Sequence, residues 1–226
     1  MADLNSLIIE TGKEFELVLV DDGSSEFREE NRNSCAGFSY EELQQNVGRA
    51  KIRNYLADKA KGDFLIFLDC DVEIHQTSFL RNYLESLTPE TQVLMGGGAY
   101  AENPPSQELM LRWNYGRQLE TKSVHERNQA PYWSFVTNNF LIKKSIFDTI
   151  RFDERITDYG HEDTLFAYEL EKNGVELVHI DNTVLNPSTE RNEDFLRKSE
   201  VAIHTLIGLL KNYKDPMLLR KFRILR

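Results

Sequence analysis

Apolar residues in this chain alternate between short unbroken runs and stripes at helical spacing, so strands and helices succeed one another. Glu14-Phe-Glu-Leu-Val-Leu-Val20 reads as a strand that ends in the turn signal Asp21-Asp22-Gly23-Ser24-Ser25. Val47 to Lys61 is helical in pattern, with Ile52, Leu56 and Ala60 spaced four apart. Phe64-Leu-Ile-Phe-Leu68 reads as a strand covered on both faces. Thr77 is placed to cap a helix through Leu87 whose stripe is Phe79, Leu80, Tyr83, Leu84 and Leu87. Gln92 to Tyr100 is expected as one strand with Gly96-Gly97-Gly98 inside it, and Phe140-Leu-Ile142 as another. His161 to Asn173 is expected as a helix stopped by Gly174, and Val175 to Ile180 as a strand. A final amphipathic helix runs from Asn192 to Tyr213 with Leu196, Ile203, Leu206 and Leu210 inward. Between residues 101 and 132 the order is weaker, and the pattern gives a short helix and a mobile loop. The alternation implies an α/β class with a mostly parallel sheet.

Composition narrows this picture. The 226 residues suit one compact domain with a large core, expected over 1–190, followed by a C-terminal helix and basic tail over 191–226. Charged residues make up 28% of the chain and the mean hydropathy is -0.50, as in a soluble protein. The apolar stretch Val201 to Leu210 is about half the length of a membrane span. The first residues carry Asp3 and Glu10 and no basic cluster, which is unlike a signal peptide. Cys35 and Cys70 make no disulfide framework, so a reducing cytoplasm is expected, with Cys70 as a small packing residue. A net charge of -10 argues against a nucleic-acid partner. The tail differs: Lys211, Lys214, Arg220, Lys221, Arg223 and Arg226 accompany Leu218, Leu219, Phe222 and Leu225. That pattern fits peripheral contact with an anionic membrane surface, or equally a solvated end.

Candidate chemistry lies where the strands end. Asp69-Cys-Asp71 closes the Phe64 strand at the carboxyl edge, where open α/β sheets hold ligands. Two like charges there suit an oxygen-liganded divalent metal with a phosphate beyond it. Asp21 and Asp22 end the preceding strand and are able to accept hydrogen bonds from a base or a ribose. Asn46-x-Gly48 through Arg53-Asn54 opens a helix suited to an anion. Gly160-His-Glu162-Asp163 opens another; Asp163 shares a stripe with Phe166 and Leu170, and the helix amino terminus favours its ionised form. Taken singly, each element also fits an ordinary turn or helix cap.

In this order the four elements resemble glycosyltransferase family 2, the inverting group with the GT-A fold, from about Leu4 to His179. The matching residues are Val20-Asp21-Asp22-Gly23-Ser24, Asn46/Gly48/Arg53-Asn54, Lys61 to Asp71, and Phe152-Asp-Glu154 with Gly160 to Asp163. The resemblance implies a Rossmann-like three-layer α/β/α fold with a mostly parallel mixed sheet. It implies nucleotide-sugar contacts at Asp21, Asp22, Arg53 and Asp69, a Mg or Mn ion on Asp69 and Asp71, and a catalytic base at Asp163. His179 is a weaker candidate metal ligand, and Asn186 stands where some relatives carry a second histidine. Trp133, Asn139 and Glu162 are expected on the acceptor side. The implied partners are a nucleotide-diphospho-sugar, UDP-linked in the expected case, and a saccharide or lipid-linked acceptor. Surface polysaccharide assembly on the cytoplasmic side, at the inner face of the membrane, is the implied setting.

Two departures matter. Ile52 stands where the family often has alanine, and relatives begin with a strand ending in Pro-x-Tyr/Phe-Asn ahead of the helix that Leu4 to Ile9 represents. Without that strand two sheet edges stay unpaired, so a longer natural chain, a substitute segment or an impaired protein is expected. One rival is therefore a truncated relative that binds nucleotide-sugar weakly or not at all. Another is a haloacid-dehalogenase-like phosphatase, which Asp69-Cys-Asp71-Val72 fits; its Gly-Asp metal cluster should follow downstream, whereas Gly62-Asp63 lies upstream.

Overall fold

The computed structural model describes residues 2–187, 190–213, 215 and 218. Helix α1 (Ala2–Thr11) leads into β1 (Val18–Asp21), α2 (Arg28–Ser34), β2 (Ser39–Glu42), α3 (Arg49–Lys59) and β3 (Phe64–Leu68). Then come α4 (Phe79–Glu85), β4 (Val93–Met95), β5 (Gly98–Tyr100), α5 (Met110–Tyr115), α6 (Val124–Gln129) and β6 (Asn139–Lys143). The chain continues through α7 (Lys144–Phe147), α8 (Glu162–Lys172), β7 (Leu177–His179), β8 (Val184–Asn186) and α9 (Asn192–Asn212).

The central sheet has the order β3-β6-β4-β7. Strand β6 runs antiparallel to both neighbours, while β4 and β7 are parallel, so the sheet is mixed. Side chains alternate across it as a two-sided strand requires. Val93, Met95, Phe140 and Ile142 enter one cluster, and Leu94 and Leu141 enter the other. Helices cover both faces and complete three layers. On the first face an aromatic block is formed by Phe67, Phe135, Phe140, Phe147, Phe152 and Phe166. Phe67 stacks on its cross-strand partner Phe140 at 4.8 Å between centroids, and Phe152 stacks on Phe166 at 4.2 Å. Burying each such ring contributes roughly 1.5–3 kcal/mol. On the second face Leu7 of α1 and Phe79, Leu80 and Tyr83 of α4 pack against Leu94 and Leu141.

The expected strand 92–100 divides in two. β4 stays in the central sheet and β5 pairs with β8. The break falls at Gly96-Gly97, where a Cβ on Gly96 would lie 2.4 Å from Asn139 Nδ2. Gly97 has φ +87°, and a Cβ there would lie 2.3 Å from Arg127 Nη1. Close approach of buried polar groups therefore ends the strand.

Strand β1 pairs only with β2, and β3 only with β6, among the described residues. The two nevertheless start side by side, because Glu16 Oε1 accepts the amides of Lys61 and of Gly62, the latter at 2.9 Å. α3 lies against β1. Among the described residues the other edge of each strand has no strand on it.

The buried face of α3 is Ala50, Arg53, Asn54 and Ala57; of the residues spaced four apart, Ala60 packs against the same core, while Ile52 and Leu56 are only half-buried. Two expectations are corrected here. In α9, Leu206 and Leu209 pack with Ile156, Leu165 and Tyr168, while Leu196 and Ile203 turn outward at 58% and 48% exposure. The 101–132 stretch is more ordered than its composition suggests. Ser123 and Glu126 form a capping box on α6, and Trp113 Nε1 donates to Ala101 O at 2.9 Å. Of the basic tail, Leu218 is buried in the α8–α9 cluster, while Lys214, Leu219, Arg220, Lys221, Phe222, Arg223, Leu225 and Arg226 lie outside the described residues. No helix among the described residues is long and apolar enough to cross a membrane.

Candidate active site

Arg53 organises the centre. Its guanidinium is almost fully buried beneath the carboxyl end of β3 and donates both ways, from Nη2 to Asp69 Oδ1 at 2.9 Å and from Nη1 to Glu162 Oε1 at 3.2 Å. One buried cation thus ties the Asp-x-Asp to the first turn of α8, an arrangement whose geometry must be good to offset desolvation. Burial pushes the Asp69 carboxyl up from its ordinary range, Arg53 pulls it down, and nearby Asp71 pushes it up again, with a net rise. The carboxyls of Asp69 and Asp71 line one cavity of about 840 Å³ together with Glu162 and Asp163. That volume is ample for a small-molecule ligand.

Asp163 is positioned by an unusual turn. Gly160 has φ +98°, and a Cβ on it would lie 2.8 Å from the Ala202 Cβ of α9. His161 follows at φ +68°, a left-handed conformation that costs a non-glycine residue energy. The turn swings the chain into α8, so that Asp163 faces the cavity while Phe166 and Leu170 enter the core. Thr164 N donates to Asp163 Oδ1 at 2.6 Å. Burial and then the Glu162 charge raise the Asp163 pKa to about 6, against the downward pull of Thr164 and Arg53. The helix terminus alone had suggested a strongly ionised carboxylate; desolvation outweighs it.

Asp21 and Asp22 sit apart from this cavity wall. Asp21 is buried at the end of β1; burial works against its charge, but hydrogen bonds from Ser24, Asn31 and Tyr40 overcome that and lower its pKa. Asp22 Oδ1 accepts the Val47 amide at 2.8 Å, which pins the turn to the loop before α3.

Several expected site residues have other work. His179 is buried with both ring nitrogens engaged, Nδ1 with Arg127 Nη1 at 3.2 Å and Nε2 with Pro131 O at 3.0 Å. Burial holds its pKa down near 4. No lone pair is left for a cation, so a metal role is not supported. Asn139 is fully buried and holds Tyr83, Gly97 and Asn182, which removes it from the acceptor side. Its neighbour Asn138 lines the cavity instead, with Oδ1 unpartnered. Arg53 is shielded by its two carboxylates rather than open to a nucleotide. Glu162 is spent largely on that same clamp. Trp133 lines the cavity at 39% exposure. Cys70 is exposed and not a packing residue.

Arg49 and Tyr159 escaped the sequence reading. The Arg49 guanidinium lies 4.6 Å over the Tyr159 ring and 3.8 Å from Glu162, on the cavity wall. A basic residue directly after the helix-opening glycine was the available signal. Among the described residues no cluster of three or more His, Cys, Asp or Glu side chains forms a ready metal cage.

Comparison with known proteins agrees with this fold. The solved mannosyl-3-phosphoglycerate synthase from Rubrobacter xylanophilus is similar at TM-score 0.62 and 16% identity, over 93% of this chain and 68% of that one. The mannosyltransferase PcManGT from Pyrobaculum calidifontis, solved with GDP-Man and Mn2+, matches at TM-score 0.59 and 15% identity, over 90% and 57%. S. aureus TarS 1-349 matches at TM-score 0.56 and 19% identity, over 86% and 56%. This chain therefore spans little more than half of TarS 1-349. A Haemophilus influenzae protein described as "Uncharacterized protein" is 50% identical over 48 residues, 21% of this chain and 26% of that one. The fold shared with these structures is GT-A. The family model for glycosyl transferase family 2 matches residues 3–151, well over half the chain, and the chain belongs to that family.

Proposed function

We propose that the protein transfers a sugar from a nucleotide-diphospho-sugar, UDP-linked, to a hydroxyl of a saccharide or lipid-linked acceptor, with inversion at the anomeric carbon. The observation that carries this reading is the Arg53 clamp, which brings Asp69 and Glu162, and with them Asp71 and Asp163, to one cavity. Family membership also removes the phosphatase alternative.

Asp163 takes the proton from the acceptor hydroxyl. A carboxylate with a pKa near 6 is basic enough to draw the proton and still mostly ionised at neutral pH. The hydroxyl oxygen bonds to the anomeric carbon as the bond to the diphosphate oxygen breaks, and the electron pair leaves with the diphosphate. The transition state resembles an oxocarbenium ion. Trp133 offers a flat face for the acceptor sugar. Asp22 and Asp21 reach the nucleoside from outside the cavity.

The donor set fits a hard divalent ion: two neighbouring carboxylates that repel one another, with room for phosphate oxygens to complete the shell. A Mg or Mn ion on Asp71 and Asp69 would supply positive charge against the departing diphosphate. Similar structures support the choice, since PcManGT is described with GDP-Man and Mn2+ and a mycobacterial glucosyl-3-phosphoglycerate synthase with Mn2+ and UDP. We assign the activity to surface polysaccharide synthesis at the cytoplasmic face of the membrane.

Calorimetry with UDP and Mn tests the reading. The chain should bind UDP only with the metal, and Asp71→Ala should weaken binding by about tenfold or more. Absence of metal-dependent binding would favour an inert relative.

A further inference from the structure

The cavity does not end at the reaction centre. Beyond Asp163 its wall is built by α5, the segment before α6 and the first turns of α9, and there its charge changes sign. Five cationic side chains meet three carboxylates on that stretch, in a chain whose net charge is -10. Three of the cations are already paired. Lys198 is 2.5 Å from Glu190, Arg112 is 3.0 Å from Glu120, and Arg197 is 2.9 Å from Asp194. Lys122 and Arg191 are exposed on the wall and form no ion pair among the described residues. Arg112, held between the rings of Tyr100 and Phe195, keeps a buried Nη1 with no hydrogen-bond partner. An unspent guanidinium donor inside a cavity wall is costly unless something accepts from it.

The basic patch is continuous with the base. Lys198 lies 5.5 Å over the same Tyr159 ring that Arg49 covers at 4.6 Å, and Arg49 reaches Glu162, the neighbour of Asp163. It is also separate from the nucleotide side, because Asp21 and Asp22 do not line the cavity. With the Asp-x-Asp at one end, the sugar being transferred lies near Asp163 and the acceptor comes from the far end.

We propose that Arg112, Lys122, Arg191 and Lys198 form an anion subsite for the acceptor, so that the acceptor carries a phosphate or carboxylate beyond its reacting hydroxyl. This rests on the transferase reading and adds the substrate class. Arg112 supplies a fixed, planar donor, and Lys122 and Arg191 close on the anion from the rim. A neutral acceptor would leave this patch unmatched.

The test is a titration of the full chain, loaded with UDP and Mn so that the donor's own phosphate contacts are filled. Glycerol 3-phosphate and glycerol serve as charged and neutral probes of the same skeleton. Glycerol 3-phosphate is expected to bind and glycerol not, and the double variant Lys122→Ala/Arg191→Ala should weaken the charged probe about tenfold. Equal binding of the two probes, or unchanged binding in the double variant, overturns the subsite. A parallel loss of UDP·Mn affinity in that variant assigns the patch to the donor diphosphate and overturns it too. Should UDP·Mn fail to bind the unmodified chain, the transferase reading falls, and the same two probes on the unloaded chain still judge the subsite.

Discussion

The half of the molecule proposed to hold the reaction centre and the half proposed to hold the nucleoside are built differently. Around Asp69 and Asp163 stand the four-stranded sheet and a block of stacked phenylalanines. Around Asp21 and Asp22 stand a two-stranded pair and α2, a helix with no buried residue. In β1 and β2 only Asp21 is buried. The first half is held by apolar packing, which then bears the cost of buried charge. The second is held by polar bonds: the Ser24 amide and Asn31 on Asp21, the Val47 amide on Asp22, and Glu16 at the start of the strand. In the proposed reading, chemistry that needs a fixed carboxylate falls on the densely packed half, and nucleotide recognition on the half that packing holds less tightly.

The largest expected effect breaks the rigid half chemically. Asp163→Asn should slow transfer by roughly 10²–10⁴-fold while UDP·Mn binding persists. In the unmodified enzyme kcat/KM should fall as pH drops through about 6, as the base gains its proton. The stability sign is opposite. A carboxyl with a raised folded pKa costs stability as pH rises between its usual value of 3.8 and about 6, and the full cost remains above that. Denaturation of Asp163→Asn should therefore show a larger gain at pH 8 than at pH 4, and unchanged turnover would remove the base assignment.

Next comes the clamp. Arg53→Leu should lose about 3–5 kcal/mol in urea unfolding, because it strands two carboxylates beside the core. Adding Glu162→Leu should recover part of that loss; no recovery would show that the ion pairs are not what the core supports. The smallest effect belongs to the thin half. Asp22→Ala should cost about 1 kcal/mol and speed hydrogen exchange in β1 and β2 while β6 stays protected. Equal acceleration in β6 would erase the contrast between the halves.

The same contrast explains what the sequence disclosed. The strands and helices of the packed half follow hydrophobic periodicity, and β3, β6 and α8 lie close to where the pattern puts them. Periodicity misses the buried face of α3 because it cannot credit a buried Arg53 and Asn54, whose partners Asp69, Glu162 and Glu154 are distant in sequence. Asn138 and Asn139 are chemically alike and point opposite ways, so only the strand register decides which meets the cavity. His179 followed a motif by position, but Arg127, which satisfies it, comes from a segment that reads as a loop. The charged residues of α9 carried no motif and gain meaning only when folded against Tyr159.

The contact between Gly160 and Ala202 has a consequence for how this protein can vary. The family match stops at residue 151, yet Asp163, the proposed proton acceptor, follows it on a turn whose Gly160 lies against a helix later still. Swapping the C-terminal helix for that of a relative would shift Asp163 along with the surface it was meant to change. Chimeras joined just after the shared domain should inherit a donor site without inheriting a working reaction centre.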